Sequence, residues 1–377
     1  MKIIIVSPKN RTIVNFRGDL IRDMVARGHD VIAIGADDGF EKEIMALGAR
    51  LVMLPMKKDS ISICHDLSYC CNLMSIFRTE KPDLVFGYTI KPVIYGSIAA
   101  RICGVKKIFP MVTGLGYVFI DKSRKTALIR LIVLLLYKIA FRCANTVIFL
   151  NPDDMRTLTQ YGTVRFNRCA LVNGSGVNMS YFTRAPLPGT LTFFMLSRVM
   201  RNKGVMEYLQ AARVVKRQYP AVRCKLLGAL ENMADSLTDE EISGYIEDGT
   251  IEYSGETGDV RPHFADCSVY VLPSYREGIP RTVLEAMATG RPIITTDAPG
   301  CRETVVDGKN GFLVPVRDAN AVAEKMIWFI THPEKIAEFG ARSHQLCSER
   351  YDVCKVNAAM LQIMGAADSA AELEKTC

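Results

Sequence analysis

The chain has 377 residues, 49% of them hydrophobic and 23% charged, which predicts two soluble domains of about 150 to 200 residues each. Its net charge of +7, from 47 Lys+Arg against 40 Asp+Glu, suits an anionic ligand or membrane surface; with no basic tract and no aromatic interleaving, it excludes nucleic-acid binding. Twelve cysteines are scattered without a CxxC pair, which excludes a small disulfide scaffold and reads as reduced thiols of a cytoplasmic protein.

In chain order, KIIIV (2–6) is a short apolar run with no cleavage signal after it, so it predicts a buried strand and not a leader peptide. A helix follows over 16–28, ending at Gly28, and then a strand over 30–36. Residues 48–56 predict another strand, 62–79 a helix, 82–89 a strand, 91–104 a helix and 106–114 a strand. A helix around 124–143 leads into the strand NTVIFLN (145–151). Within that helix LIVLLLY (131–137) is too short to span a membrane and lies between Arg130 and Lys138.

Gly, Asn, Ser and Pro break the rhythm over 172–190, which reads as an interdomain connection. Alternation restarts with strands at 191–197, 222–229, 250–257, 268–274, 291–297 and 310–316, helices at 204–220 and 280–290, and a helical tail. The expected fold class is α/β: two Rossmann-like domains with parallel sheets facing across a cleft, ligands lying at the carboxyl ends of the strands. The expected divisions are 1–171, 172–190, 191–355 and a tail over 356–377 that packs back on the first domain.

Two stretches in the second half carry the chemistry. In SRVMRNKG (197–204), directly after a strand, Arg198 and Lys203 offer a planar fork and a mobile point charge for a diphosphate, with Arg201 as a third cation. In SYREGIPRTVLEAMATG (274–290), Glu277 precedes a helix that should start near Pro280, and Glu285 lies one to two turns inside it. Amides around Gly278, Ile279 and Arg281 at that helix start can hold phosphate or sugar oxygens, while the two carboxylates reach hydroxyls on either side. That spacing suits a nucleotide-sugar.

The first half is less explicit. MVTGLGYVF (111–119) places Gly114 and Gly116 beside Thr113 after a strand, where backbone can approach a ligand. No G-x-G-x-x-G follows the first strand, which argues against NAD. Lys122, Arg124, Lys125 and Arg130 recur along an apolar helix, a pattern that can lie in a membrane interface. No HExxH, Cys/His cluster or G-x-S-x-G is present, so neither a protein-bound metal nor a serine nucleophile elbow is expected.

SRVMRNKG and EGIPRTVLEAMATGRPIITTDAPGCRETVVDGKNGFLV resemble the retaining glycosyltransferases of family four, which have the GT-B fold. NFRGDLI, KPDLVFGYTIKPVIYGSIAAR and VTGLGYVF are similar to the bacterial subgroup that builds lipid-linked oligosaccharides for O-antigen, capsule or glycoprotein, including galactosaminyltransferases acting on undecaprenyl-diphosphate-linked bacillosamine. The resemblance implies that Arg198 and Lys203 bind a donor diphosphate, Glu277 the transferred sugar and Glu285 the ribose, with Gly278, Ile279, Pro280 and Arg281 completing the donor site. Thr113 and Gly114 would lie by the acceptor or donor sugar; Thr113 carries no ionisable group, which favours a front-face mechanism over an enzymic base.

The function expected from that resemblance is metal-independent transfer of a hexose or N-acetylhexosamine from a UDP-sugar to a polyprenyl-diphosphate-linked saccharide. The enzyme would work peripherally on the inner face of the cytoplasmic membrane. The alternatives are a UDP-sugar 2-epimerase of the same shape and a non-catalytic nucleotide-sugar-binding partner.

Overall fold

A computed structural model describes residues 1–56, 62–121, 123–231, 233 and 235–367. Contacts divide the chain into two compact units, Met1–Ser175 joined by the chain from Val353, and Gly176–Asp352.

The first unit runs β1 (Lys2–Val6), α1 (Asn10–Ala26), β2 (Asp30–Gly35), α2 (Glu41–Ala46), β3 (Arg50–Met53), α3 (Ile63–Glu80) and β4 (Leu84–Tyr88). It continues through α4 (Ser97–Ile102), β5 (Lys107–Val112), α5 (Arg124–Cys143), β6 (Val147–Phe149), α6 (Pro152–Gln160) and β7 (Cys169–Leu171). Among the described residues its strands form one parallel sheet ordered β3-β2-β1-β4-β5-β6-β7. Buried on both faces, the inner strands β1, β2, β4, β5 and β6 are near-continuous apolar runs, which is why KIIIV and DLVFGY stood out in the sequence. Alternate residues Ile4, Val6, Ile32, Ile34 and Val85 enter a core with Leu73 and Phe77 of α3, Ala99 of α4, and Tyr137 and Phe141 of α5.

The second unit runs β8 (Thr192–Leu196), α7 (Val205–Gln218), β9 (Arg223–Leu227), α8 (Asp239–Glu247), β10 (Glu252–Tyr253), α9 (Arg261–Ala265) and β11 (Val269–Leu272). Then come α10 (Arg281–Ala288), β12 (Ile293–Thr296), β13 (Gly311–Val314), α11 (Ala319–Thr331) and α12 (Glu334–Arg350). Its parallel sheet is ordered β10-β9-β8-β11-β12-β13. Phe194 of β8 packs edge-on against Phe264 and Tyr270.

The expected divisions at 171, 190 and 355 move to 175/176 and 352/353. Val172 N still donates to Phe149 O in the first unit. In the second unit Ala185 N donates to Thr289 O, the Phe182 ring meets Phe264 edge-on, and buried Arg291 donates through Nη2 to Pro186 O at 2.8 Å. Polar and proline-rich composition marked this stretch as a connector, but most of it is packed on the second unit. The last described helix, α13 (Val353–Met364), joins the first unit, where Asn357 Nδ2 donates to Asp23 Oδ2 at 2.8 Å. The expected tail beyond residue 367 lies outside the described residues.

Helix α1 starts at Asn10, six residues before the expected start, because Asn10 is anchored through Nδ2 to Gly39 O at 2.9 Å. The helix expected over 91–104 is two elements: a wide π-type turn, Pro92–Gly96, precedes α4. Helix α8 was not expected, although Thr238 and Glu241 form a reciprocal capping box at its start.

Candidate active site

In the second sheet the strand order reverses between β8 and β11. Ligands of open parallel sheets sit outside the strand carboxyl ends at such a reversal, because neighbouring connections leave on opposite faces and open a crevice. The loop after β8 brings Lys203 there, and the loop after β11 brings Ser274 and Glu277.

Lys203 Nζ lies 2.6 Å from Glu277 Oε1, with both side chains less than one-fifth exposed. Ser274 Oγ donates to the same carboxylate oxygen at 2.8 Å. The loops are tied by backbone as well: Tyr275 N donates to Asn202 O at 2.9 Å, and Asn202 N to Asp235 Oδ2 at 3.0 Å. Behind them Tyr275 OH donates to buried Glu207 Oε1 at 2.5 Å, and Arg317 stacks 4.9 Å from the Tyr275 ring centre. Burial, with Glu207 beside it, holds the Tyr275 phenol well above its usual range.

Two glycines permit this closeness. Gly204 has φ +74°, and a Cβ there would fall 2.0 Å from Pro273 O. Gly300 has φ +83°, and its Cβ would fall 2.2 Å from Glu277 O. Only a residue without a side chain lets these turns press against the site.

Helix α10 begins at Arg281 after Pro280, as its sequence predicts, with no side-chain cap on its first turn. The amides around Gly278, Ile279 and Arg281 were expected to be open; Gly278, Ile279 and Pro280 are buried, with the turn that carries Gly300 packed on Glu277 and Gly278, and Arg281 is half-buried. Glu285 is 8% exposed, and its Oε1 accepts from Arg281 Nε at 3.0 Å. Burial pushes the Glu285 carboxyl up to about 7, against the opposing pull of Arg281.

Arg198 is exposed, with Nη1 3.2 Å from Glu231 Oε2. Arg201 pairs with Glu241. Each cation read from SRVMRNKG thus has a carboxylate partner, and of the three only Lys203 is paired with a residue of the EGIPRTVLE loop. Ser274, Asn202, Tyr275 and Glu207 escaped the sequence reading; the contacts that join Ser274 and Tyr275 to Asn202 and Glu207 span 68 to 73 positions, which no local pattern signals.

The remaining expected residues lie in the first unit. Thr113 and Gly114 are half-buried and Gly116 exposed, in the loop after β5. Arg124 is exposed at the start of α5, whereas Arg130 is half-buried and donates through Nη2 to Asp121 O at 3.2 Å. Lys122 and the side chain of Lys125 lie outside the described residues. Leu128, Leu131, Ile132, Leu135 and Ile139 are exposed along one stripe of α5. Among the described residues no helix is long and apolar enough to cross a membrane.

Residues 190–332 match the family described as glycosyl transferases group 1, and residues 2–151 the glycosyl transferase 4-like family. The chain belongs to the glycosyltransferases built from these two domains. It is 25% identical, over 86% of its length and 88% of the relative's, to the N,N'-diacetylbacillosaminyl-diphospho-undecaprenol alpha-1,3-N-acetylgalactosaminyltransferase of Campylobacter jejuni. It is 24% identical, over 79% of each chain, to the UDP-Gal:alpha-D-GlcNAc-diphosphoundecaprenol alpha-1,3-galactosyltransferase of Escherichia coli. The glycosyltransferase's fold is shared with Anabaena Alr3699/HepE, solved in complex with UDP and glucose: the TM-score is 0.78 at 17% identity, covering 97% of this chain and 100% of that one. Such neighbours place it in the GT-B fold.

Proposed function

We propose that this glycosyltransferase moves a hexose or N-acetylhexosamine, with retention of configuration, from a UDP-sugar to a polyprenyl-diphosphate-linked saccharide in surface-glycan or glycoprotein synthesis. The Lys203–Glu277 contact at the β8/β11 crevice carries the reading. It sets a cation for the diphosphate against a carboxylate for the sugar, one turn from the uncapped start of α10. The relatives from C. jejuni and E. coli, both named for diphospho-undecaprenol substrates, support the acceptor class.

In this mechanism Lys203 and Arg198 neutralise the charge that grows on the departing UDP. The bond from the sugar's anomeric carbon to the phosphate oxygen breaks as the acceptor oxygen bonds to the same face of that carbon. The acceptor's hydroxyl proton passes to the leaving phosphate oxygen, so no enzyme carboxylate forms a covalent intermediate. Glu277 orients the sugar and Glu285 the ribose. The reading requires no metal ion.

The exposed stripe of α5, with Arg124 at its start and no acidic residue from 122 to 152, suits the anionic inner face of the cytoplasmic membrane.

Turnover of UDP-sugars with a lipid-linked acceptor, in wild type and in Lys203→Ala and Glu285→Ala, tests the reading. Loss of transfer in both folded variants is expected; wild-type rates in both refute it. Conversion of the UDP-sugar without acceptor would instead assign an epimerase.

A further inference from the structure

The first sheet has its own reversal of strand order, between β1 and β4. The rule that locates the donor crevice in the second unit therefore points, in the first, to the loops after Val6 and after Tyr88. This is one strand away from the Thr113–Gly116 loop that follows β5.

The loop after β4 is shaped at a cost. Thr89 has φ +69°, a left-handed conformation that a β-branched residue adopts for about 1–3 kcal/mol. A Cβ on Gly87 would fall 2.9 Å from Pro92 O, and Val93 N donates back to Thr89 O at 2.9 Å. The π-type turn Pro92–Gly96 follows at once, a deformation that often marks functional sites.

Together these hold Lys91 at the crevice. Its Nζ lies 2.6 Å from Asp66 Oδ1, with side chains 14% and 15% exposed. Asp66 is in the first turn of α3, which starts at the carboxyl edge of the sheet because a crossover helix runs back against its strands. Tyr95 OH donates to Asp66 Oδ2 at 3.0 Å.

Lys203 and Glu277 repeat this chemistry in the other unit: a shielded ammonium, a carboxylate at 2.6 Å, a strand-order reversal. The surroundings differ. On α3 the exposed Ile63 and Leu67, at 76% and 58%, flank Asp66, so an apolar surface adjoins the cation. At the other side of the crevice α1 begins with no acid in its first turn, while Lys9 and Arg11 are exposed there. Cations at that end of a helix dipole are disfavoured by about 0.3–1 kcal/mol each, a cost that a bound anion offsets. Asp37 takes one amide of that turn, that of Asn10, at 2.5 Å.

We infer that Lys91 is a binding residue for the acceptor's isoprenoid-linked diphosphate. Its ammonium exchanges Asp66 for a phosphate oxygen, and Ile63 and Leu67 meet the first isoprene units. The inference rests on the proposed transfer to a lipid-linked acceptor and names the residue that recognises that acceptor.

Calorimetric titration with farnesyl diphosphate, farnesyl monophosphate and inorganic pyrophosphate tests it in wild type, Lys91→Gln, Lys91→Arg and Asp66→Asn. Farnesyl diphosphate should bind wild type more tightly than either other probe. Lys91→Gln should weaken it about tenfold, the loss of a charge-assisted contact, and Lys91→Arg should restore part of it. Asp66→Asn, which removes the competing carboxylate, should tighten it; a merely structural ion pair would give no gain. UDP affinity should stay at the wild-type value in all three variants.

Equal affinity in wild type and folded Lys91→Gln, or no gain in folded Asp66→Asn, overturns the inference. So does pyrophosphate binding as tightly as farnesyl diphosphate. Lys91-dependent binding without sugar transfer to any acceptor would overturn the proposed activity and leave this site standing. Transfer with an acceptor KM indifferent to Lys91 would do the reverse.

Discussion

Lys203 Nζ and Glu277 Oε1 stand 2.6 Å apart although 74 positions separate the two residues. Without donor, each is the other's counter-ion. A diphosphate that takes the ammonium releases the carboxylate for sugar hydroxyls, so the same pair can serve both parts of one substrate. Replacing Lys203 with Met should weaken UDP binding about 10- to 100-fold, the worth of about 1.5–3 kcal/mol for hydrogen bonds to charged groups. Calorimetry with UDP checks this.

Glu285 makes stability depend on pH. Its carboxyl rises from the ordinary 4.5 to about 7 on folding. The native chain therefore binds this proton more tightly than the unfolded chain, and the stability it confers is present below pH 4.5 and lost as pH rises through 7. The difference corresponds to about 3 kcal/mol. Chemical unfolding at pH 5 and pH 8 should show the decline in wild type and a smaller one in Glu285→Gln.

Gly204→Ala should destabilise the second unit by about 2–4 kcal/mol, since a Cβ would meet a backbone carbonyl at 2.0 Å in a left-handed turn. Urea midpoints would register it. An unchanged midpoint would show that the turn can move.

Tyr275→Phe removes the donor 2.5 Å from Glu207, which is 9% exposed. A buried acceptor left unmet costs about 1–3 kcal/mol. Thermal unfolding should detect this loss, and UDP affinity should fall because Tyr275 helps hold the two loops together.

On α5, Leu131→Glu with Leu135→Glu should reduce co-sedimentation with anionic vesicles while leaving the melting temperature near wild type, because both side chains are exposed. Arg124→Glu should act mainly at low salt, through electrostatics alone.

The strands and the donor loops were legible because buried parallel strands are continuous apolar runs and a proline marks the start of α10. Arg198, Lys203, Glu277 and Glu285 could be picked out by their positions after strands. The partners of Arg198 and Lys203 could not: the Glu231 and Glu277 pairings join residues 33 and 74 positions apart. The crevice in the first unit was missed for a related reason. A strand-order reversal is a property of the assembled sheet, and Thr89 is an unremarkable letter in FGYTIKP until its φ is seen.

A crystal structure with UDP bound tests the central claim most directly. The account predicts diphosphate oxygens within hydrogen-bonding distance of Lys203 Nζ and the Arg198 guanidinium, beside the start of α10, with the ribose at Glu285. UDP lodged away from all of these side chains would contradict it.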